Sequence, residues 1–295
     1  MSLIPFDQRE GFIWFDGDFV EWKDAKIHIL THGLHYGCTV FEGIRVYNYK
    51  PFKLREHQQR LINSAKLVGY NLPFTLEELE LAAINVVKKQ NIKDGYLRPV
   101  AWLGSETMLI SGNNCKVHTA IAGWETFEQS RTTIRERGAR VVISNWIKPP
   151  ADCTPFKSKA SGIYMIATMV KNEATAKGFD DALMLDINQN ITEATTSNFF
   201  IITGNKLLTP IPDCFLNGIT RQTVIEIAKT NGMEVIEKYI KIEDLNEAEA
   251  AFFTGTAIEI MPIGQIAATK ATYGFDIKNH KLKLLMEAYS KLVNA

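Results

Sequence analysis

The chain has 295 residues, and its 33 basic and 33 acidic side chains leave a net charge of zero at neutral pH. That balance excludes a general nucleic-acid binder, whose affinity rests on a basic excess against phosphate. With 46% hydrophobic and 10% aromatic residues it can bury substantial cores, which excludes disorder, and its length suits two domains.

The opening residues carry Asp7, Arg9 and Glu10 where a signal peptide would need an apolar run. No stretch approaches the roughly 18 apolar residues of a membrane span. Four cysteines lie far apart with no C-x-x-C pair, which suits reduced thiols. A cytoplasmic protein without membrane or nucleic-acid partners is expected.

In chain order, Phe12 to Trp22 reads as a hairpin turning at Asp16-Gly17. Thr31 to Gly37 reads as a loop rich in Gly and His, and Thr39 to Leu54 as β-rich. Arg55 to Val68 is helical, with Leu61, Ala65 and Val68 on one face and Gly69 as the stop. Thr75-Leu-Glu-Glu78 is a capping box opening a helix to about Gln90. Tyr96 to Leu103 and Val117 to Trp124 are β-like. Thr126 to Arg137 is polar and weakly periodic, the candidate connection between domains.

Beyond it, Ala139 to Ile147 reads as a strand, Pro149-Pro150 as a loop, and Gly162 to Lys177 as a helix ended by Gly178. Strands follow at Ala182 to Ile187 and Asn198 to Thr203, the latter turning at Gly204-Asn205 into Lys206 to Leu208. A helix from Thr220 to Thr230 stops at Asn231-Gly232, and Glu234 to Ile240 is a strand. Ala250 to Phe253 leads into a Thr-Gly turn, and a helix closes the chain. The layout is mixed α/β in two unequal parts, residues 1–125 and 139–295 joined by 126–138.

No G-x-G-x-x-G, Walker, H-E-x-x-H or G-x-S-x-G motif is present. His28, His32, His35 and Cys38 have metal-like spacing, but no partner cluster supports a metal and none is expected. Phe12, Trp14, Phe15 and Trp22 read as core.

Three segments carry candidate chemistry. Lys159 sits among small residues in Phe156-Lys-Ser-Lys-Ala-Ser-Gly-Ile-Tyr164, where a planar cofactor could approach; the plain alternative is a solvated lysine. Glu193 stands in Ile191-Thr-Glu-Ala-Thr-Thr-Ser-Asn198, either as a turn carboxylate or as the partner of a protonated ring nitrogen. Asn217-Gly-Ile-Thr-Arg221 opens a helix whose N–H groups and Thr220 hydroxyl could cradle a phosphate, or Thr220 could simply be an N-cap. Thr254-Gly-Thr-Ala257 is a similar turn, and Arg60 could add a guanidinium to the same anion.

Together these segments resemble the class IV, fold-type-IV pyridoxal-phosphate enzymes, and within them the branched-chain amino-acid aminotransferases. The most specific piece is His32-Gly-Leu-His-Tyr-Gly-Cys-Thr-Val-Phe-Glu-Gly-Ile-Arg45. Arg55-Glu-His-Gln-Gln-Arg-Leu61, Tyr96-Leu-Arg-Pro99 and the segments around Lys159, Glu193, Gly218–Arg221 and Gly255–Ala257 follow in order.

The resemblance implies a smaller N-terminal α/β domain and a larger, barrel-like C-terminal domain that binds pyridoxal 5′-phosphate. It implies Lys159 as Schiff-base lysine and proton shuttle, Glu193 at the pyridine nitrogen, and Tyr164 at the phenolic oxygen. Arg60, Ile219, Thr220 and Thr256 would hold the phosphate. Gly255, Thr256 and Ala257 would bind the substrate α-carboxylate, and Phe41, Trp124 and Phe127 would line the side-chain pocket. Tyr36 would come from a partner subunit, making at least a homodimer. Arg98, with Tyr36 and Arg45, would meet the distal carboxylate of glutamate. The implied reaction is reversible transamination between leucine, isoleucine or valine and 2-oxoglutarate. Thr196-Ser-Asn198 followed by Phe resembles D-amino-acid aminotransferases instead. A 4-amino-4-deoxychorismate lyase and a non-catalytic ligand-binding homologue are further alternatives.

Overall fold

A computed structural model describes residues 4–126 and 129–295. Contacts between Cα atoms divide the chain into two compact units, Met1–Phe127 with Ser158–Ile163, and Glu128–Lys157 with Tyr164–Ala295. Among the described residues no helix is long and apolar enough to cross a membrane.

The first unit contains β1 (Phe12–Phe15), β2 (Asp18–Glu21), α1 (His32–Tyr36), β3 (Val40–Phe41), β4 (Ile44–Tyr47), β5 (Lys50–Pro51), α2 (Leu54–Leu67), α3 (Leu76–Lys89), β6 (Gly95–Leu103) and β7 (Val117–Glu125). Its described strands form one sheet in the order β2-β1-β7-β6-β4-β5, with β3 also on β6. The hairpin turns at Asp16 and Gly17, both at positive φ, as the Asp-Gly pair predicts. The capping box at Thr75 forms with both of its bonds.

Alternation on these strands creates two unlike faces. Trp14, Ile44, Val46, Leu97 and Ile121 point one way and pack on Leu79, Ala83 and Val86 of α3. Their neighbours Phe15, Tyr96, Arg98, Val100, Ala120 and Ala122 occupy the opposite face. There cross-strand register sets Phe41 against Val100, Arg45 against Tyr96, and Trp124 against Tyr96. A sheet with a helix layer on one side thus leaves its other side for function.

The second unit contains α4 (Gln129–Arg137), β8 (Ala139–Ile147), α5 (Tyr164–Ala176), β9 (Asp181–Leu185), β10 (Ile191–Ala194), β11 (Asn198–Thr203), β12 (Lys206–Thr209), α6 (Ile219–Thr230), β13 (Glu234–Glu237), β14 (Ala250–Gly255), β15 (Glu259–Ala267), β16 (Thr272–Gly274) and α7 (His280–Val293). Strands run β10-β9-β8-β15-β14-β11, and a further β10–β11 pairing closes them into a ring. The expected barrel-like character is therefore present.

Every second residue of the ring fills its interior: Ala139 and Val141, Leu183 and Leu185, Phe199 and Ile201, Ala251 and Phe253, Met261 and Ile263. On β9, β11 and β14 the intervening Met184, Phe200 and Phe252 are buried as well, whereas Arg140 on β8 is exposed. Ala182 and Met184 pack on Val170 and Ala174 of α5. Burial on both faces explains why β9, β11 and β14 read as continuous hydrophobic runs.

Several elements differ from the sequence expectation. Thr31 to Gly37 is not a loop: His32–Tyr36 is one helical turn ended by Gly37 at φ 70°. So short a helix leaves no periodic signal. The polar stretch before Gly138 carries α4, whose Arg135 and Arg137 bind Glu259 and Asp180. Strand β15 is hidden in the sequence, because Pro262 and Gly264 interrupt its apolar run, yet it sits between β14 and β8 with a register shift at Gly264.

Candidate functional site

In the first unit the candidate residues converge on the open face of the sheet. The Lys159 backbone is pinned there, its N–H donating to Ser64 Oγ at 2.9 Å and its carbonyl accepting from Phe41 N–H at 3.1 Å. Its Nζ lies 5.0 Å from the Phe41 ring centroid. The Arg98 guanidinium carbon lies 4.9 Å from the same centroid and 5.6 Å from that of Tyr96. Phe41, Lys159 and Arg98 are thus one cluster, with two cations around one ring.

Arg98 also borders two cavities, of about 680 and 720 Å³, whose shared lining is Ile13, Ala25, Arg98 and Ala122. The larger is also lined by Trp124. Arg98 Nε is buried without a hydrogen-bond partner. A buried donor nitrogen left this way beside a cavity is one that a carboxylate could satisfy. Arg45 lies on the same face, its guanidinium 4.9 Å from the Tyr47 ring centroid. Gly43 is required by close approach: a Cβ there would lie 1.7 Å from Tyr96 Oη.

Arg60 is not an isolated surface charge. Its Nε and Nη2 donate to Glu42 at 2.6 and 2.9 Å, and Glu42 also accepts from His57 Nδ1 at 2.7 Å. Burial alone would raise the Glu42 carboxyl, but Arg60 and His57 outweigh it and hold it far below the usual carboxylate range. Burial pushes the His57 imidazole below its ordinary value, with Arg60 and Lys159 adding to the effect against Glu42. Neutral His57 therefore donates Nδ1–H to an ionised Glu42. Glu42 and His57 are not among the residues singled out from sequence. Their signal is nonetheless there: a carboxylate inside the apolar run Val40 to Val46 needs a cation, and His57 and Arg60 stand three apart on one helix face.

In the second unit the candidates gather at one end of the barrel. Glu193 is not a turn residue; it lies on β10 and is buried. Its Oε1 accepts from Lys148 Nζ at 2.6 Å and its Oε2 from Asn198 Nδ2 at 3.2 Å. Asn198 Oδ1 in turn accepts from Gly218 N–H at 3.2 Å, which joins the carboxylate to the start of α6. Gly218 is the N-cap, with no side-chain cap, so Thr220 is the second helical residue, not the cap. The first N–H groups of the helix, including those of Ile219 and Thr220, have no acceptor within it. A Cβ at Gly218 would lie 2.2 Å from Asn198 Oδ1.

The same end carries the Gly255–Ala257 turn between β14 and β15. Asn198 pairs with Thr254, whose buried hydroxyl has no hydrogen-bond partner. Arg135 donates to Ile258 O and Glu259, fixing the far side of the turn, where Glu259 adopts φ 58°. Thr256 and Ala257 are half-buried there. Tyr164 opens α5, half-buried. Lys148 and Asn198 also escape the sequence reading as site residues, since Lys148 meets its partner 45 positions away and nothing local marks it.

Tyr36 is exposed and its hydroxyl donates to Met108 O at 2.9 Å, within an exposed apolar set of Ile27, Ile29, Leu34, Leu109 and Ile110. Phe127 lies outside the described residues. His32, with metal-like spacing to His28 and His35, is buried; its ring nitrogens face Leu109 O and Cys38 Sγ. Among the described residues no group of three His, Cys, Asp or Glu side chains could hold a metal ion.

Residues 39–266 match the family model described as Amino-transferase class IV. A protein of Rickettsia felis named "Probable branched-chain-amino-acid aminotransferase" is 42% identical over 99% of each chain. A branched-chain amino acid aminotransferase of T.th., complexed with N-(5′-phosphopyridoxyl)-L-glutamate, superimposes at TM-score 0.87 with 36% identity, covering 97% of this chain and 95% of that one. The branched-chain aminotransferase of Thermoproteus uzoniensis with norvaline does so at TM-score 0.90 with 34% identity and the same coverage.

Proposed function

The chain belongs to the class IV aminotransferase family, and from that premise we propose that it transfers amino groups reversibly between L-leucine, L-isoleucine or L-valine and 2-oxoglutarate, with pyridoxal 5′-phosphate as cofactor. The observation that carries the reading is the Asn198 amide. It donates to buried Glu193 and accepts from the N-cap of α6, so an anionic side chain and an anion-binding helix end stand side by side. That pairing complements a molecule cationic at a ring nitrogen and anionic at a phosphate. The partnerless Thr254 hydroxyl beside them offers a further polar contact.

When bound, pyridoxal phosphate supplies an aldehyde carbon for the amino group and a ring that spreads the negative charge left at Cα. Glu193 accepts a hydrogen bond from the ring nitrogen and keeps it protonated. Ile219, Thr220, Thr256 and Arg60 hold the phosphate, and Tyr164 donates to the phenolic oxygen. Lys159 would hold the cofactor through Nζ and, in the amino transfer, would carry the proton between the substrate Cα and the cofactor's C4′ in either direction. Gly255, Thr256 and Ala257 present N–H groups to the α-carboxylate.

Phe41 and Trp124 give leucine-like side chains an apolar wall, and Arg98 receives the distal carboxylate of glutamate, assisted by Arg45 and Tyr36. The apolar set around Tyr36 is covered by a second copy of the chain, giving a homodimer in the cytoplasm.

Coupled assays with L-leucine and D-alanine, each against 2-oxoglutarate, test the activity. Turnover with leucine and none with D-alanine is expected; the opposite pattern would move the chain to the D-amino-acid enzymes. Borohydride reduction followed by peptide mapping should place the cofactor on Lys159, and a label on Lys157 would overturn that assignment.

A further inference from the structure

Lys148 ends the run of β8 and reaches past β9 to a carboxylate on β10. Its backbone N–H donates to Leu185 O at 2.7 Å, and its Nζ donates to Glu193 Oε1 at 2.6 Å. Both side chains are nearly excluded from water, at 7% and 10% exposure. An ion pair so placed is a poor stabilising device, because the desolvation of two charges offsets most of their attraction. The lysine makes burial of the carboxylate tolerable, but the fold alone does not call for the pair, since apolar residues could fill the same space.

Lys148 and Asn198 each donate to a different Glu193 oxygen, which fixes the carboxylate plane, and a carboxylate oxygen accepts more than one such bond. Burial pushes the neighbouring Cys214 thiol up to about 12, so it remains neutral and adds no competing charge.

We propose that Lys148 is a positioning residue whose ammonium keeps Glu193 ionised and so places the shared proton on the cofactor ring nitrogen rather than on the carboxylate. The inference rests on the placement of Glu193 at that nitrogen. Without the cation the same proton moves from nitrogen to oxygen; no other bond changes. An opposite charge at hydrogen-bond distance shifts a carboxylate by roughly one to three pKa units, so the proton partition changes by about ten- to a thousand-fold.

The test uses the holoenzyme reconstituted with cofactor carrying ¹⁵N at the ring nitrogen, read by NMR, in wild type, K148M, K148R and E193Q. Wild type and K148R should show a protonated ring nitrogen, and K148M should move toward the unprotonated form. With a cofactor analogue whose ring nitrogen is replaced by C–H, wild type and K148M should turn over at equal rates. Should K148M not load cofactor, K148Q provides the same comparison, with a donor but no charge. A wild-type nitrogen signal in the uncharged variant, or failure of K148R to restore it, overturns the role of Lys148. If E193Q also leaves the signal unchanged, the placement of Glu193 itself is wrong; if E193Q moves it and the uncharged variant does not, only Lys148 is misassigned.

Discussion

Replacing Glu42 by glutamine tests whether the first unit is organised around one buried carboxylate. Four donors converge on it: Arg60 Nε at 2.6 Å, Arg60 Nη2 at 2.9 Å, His57 Nδ1 at 2.7 Å and Gly43 N–H at 3.2 Å. Glutamine offers one carbonyl oxygen and turns an NH₂ toward donors that cannot accept from it. At least two charge-assisted bonds are lost, each contributing about 1.5–3 kcal/mol. Breaking a buried ion pair costs about 3–5 kcal/mol by itself. Arg60 retains 15% exposure and can relax toward water, which favours the lower end, near 3 kcal/mol. Equilibrium urea denaturation of the cofactor-free protein, followed by tryptophan fluorescence, reads this directly. Trp14, Trp22, Trp102 and Trp124 all lie in the first unit. The double variant E42M/R60M, which removes both charges, should recover most of the loss. An E42Q protein within about 1 kcal/mol of wild type would refute the reasoning.

Three further outcomes follow from the same geometry. R98M should lower kcat/KM for 2-oxoglutarate by about a hundredfold, through loss of charge-assisted bonds, and that for leucine by less than tenfold; equal losses in paired steady-state assays would contradict the Arg98 assignment. His57, with its native value depressed by burial, stays neutral where the unfolded imidazole takes a proton. Stability should therefore begin to fall as pH drops through about 6.5 toward the lower native value, with a second loss below the ordinary carboxylate range as Glu42 protonates. Denaturation midpoints across that range should show the first slope in wild type and not in H57Q. G218A should weaken cofactor binding by about tenfold or more, because its Cβ displaces the Asn198 amide from the start of α6. A fluorescence titration giving wild-type affinity would remove Asn198 from the site.

Most elements are legible in the sequence because their signals are local. The Asp16-Gly17 turn, the Thr75 capping box and the glycine stops at Gly69, Gly178 and Gly232 each depend on residues a few positions apart. What escapes is set by distant partners. Strand β15 is apolar enough to be a strand, but its Pro262 disguises it until β14 and β8 are known to flank it. Glu193 looks like a turn residue because its neighbours are small and polar; the Lys148 and Asn198 bonds make burial of that carboxylate tolerable. Thr220 looks like a cap because threonine favours that position, whereas Gly218 takes it to let Asn198 approach. Lys159, Phe41 and Arg98 stand far apart in the chain; their meeting depends on residues 158–163 packing with the first unit's sheet, which no spacing encodes.

The two carboxylates at the centre of these constellations solve opposite problems. Glu42 answers a surplus of positive charge: Arg60, Arg98 and Lys159 share the first unit's site with it, and its pairing fixes the Arg60 guanidinium. Arg98, whose buried Nε lacks an acceptor, is left to be balanced by whatever binds. A buried donor in that condition costs the resting protein and favours any complex that brings it a carboxylate. Glu193 instead meets the Lys148 ammonium and the neutral Asn198 amide, so it stays negative and still able to accept. One acid orients a positive group and the other remains an acceptor. The difference follows from which residues each strand places opposite it, not from the chemistry of glutamate.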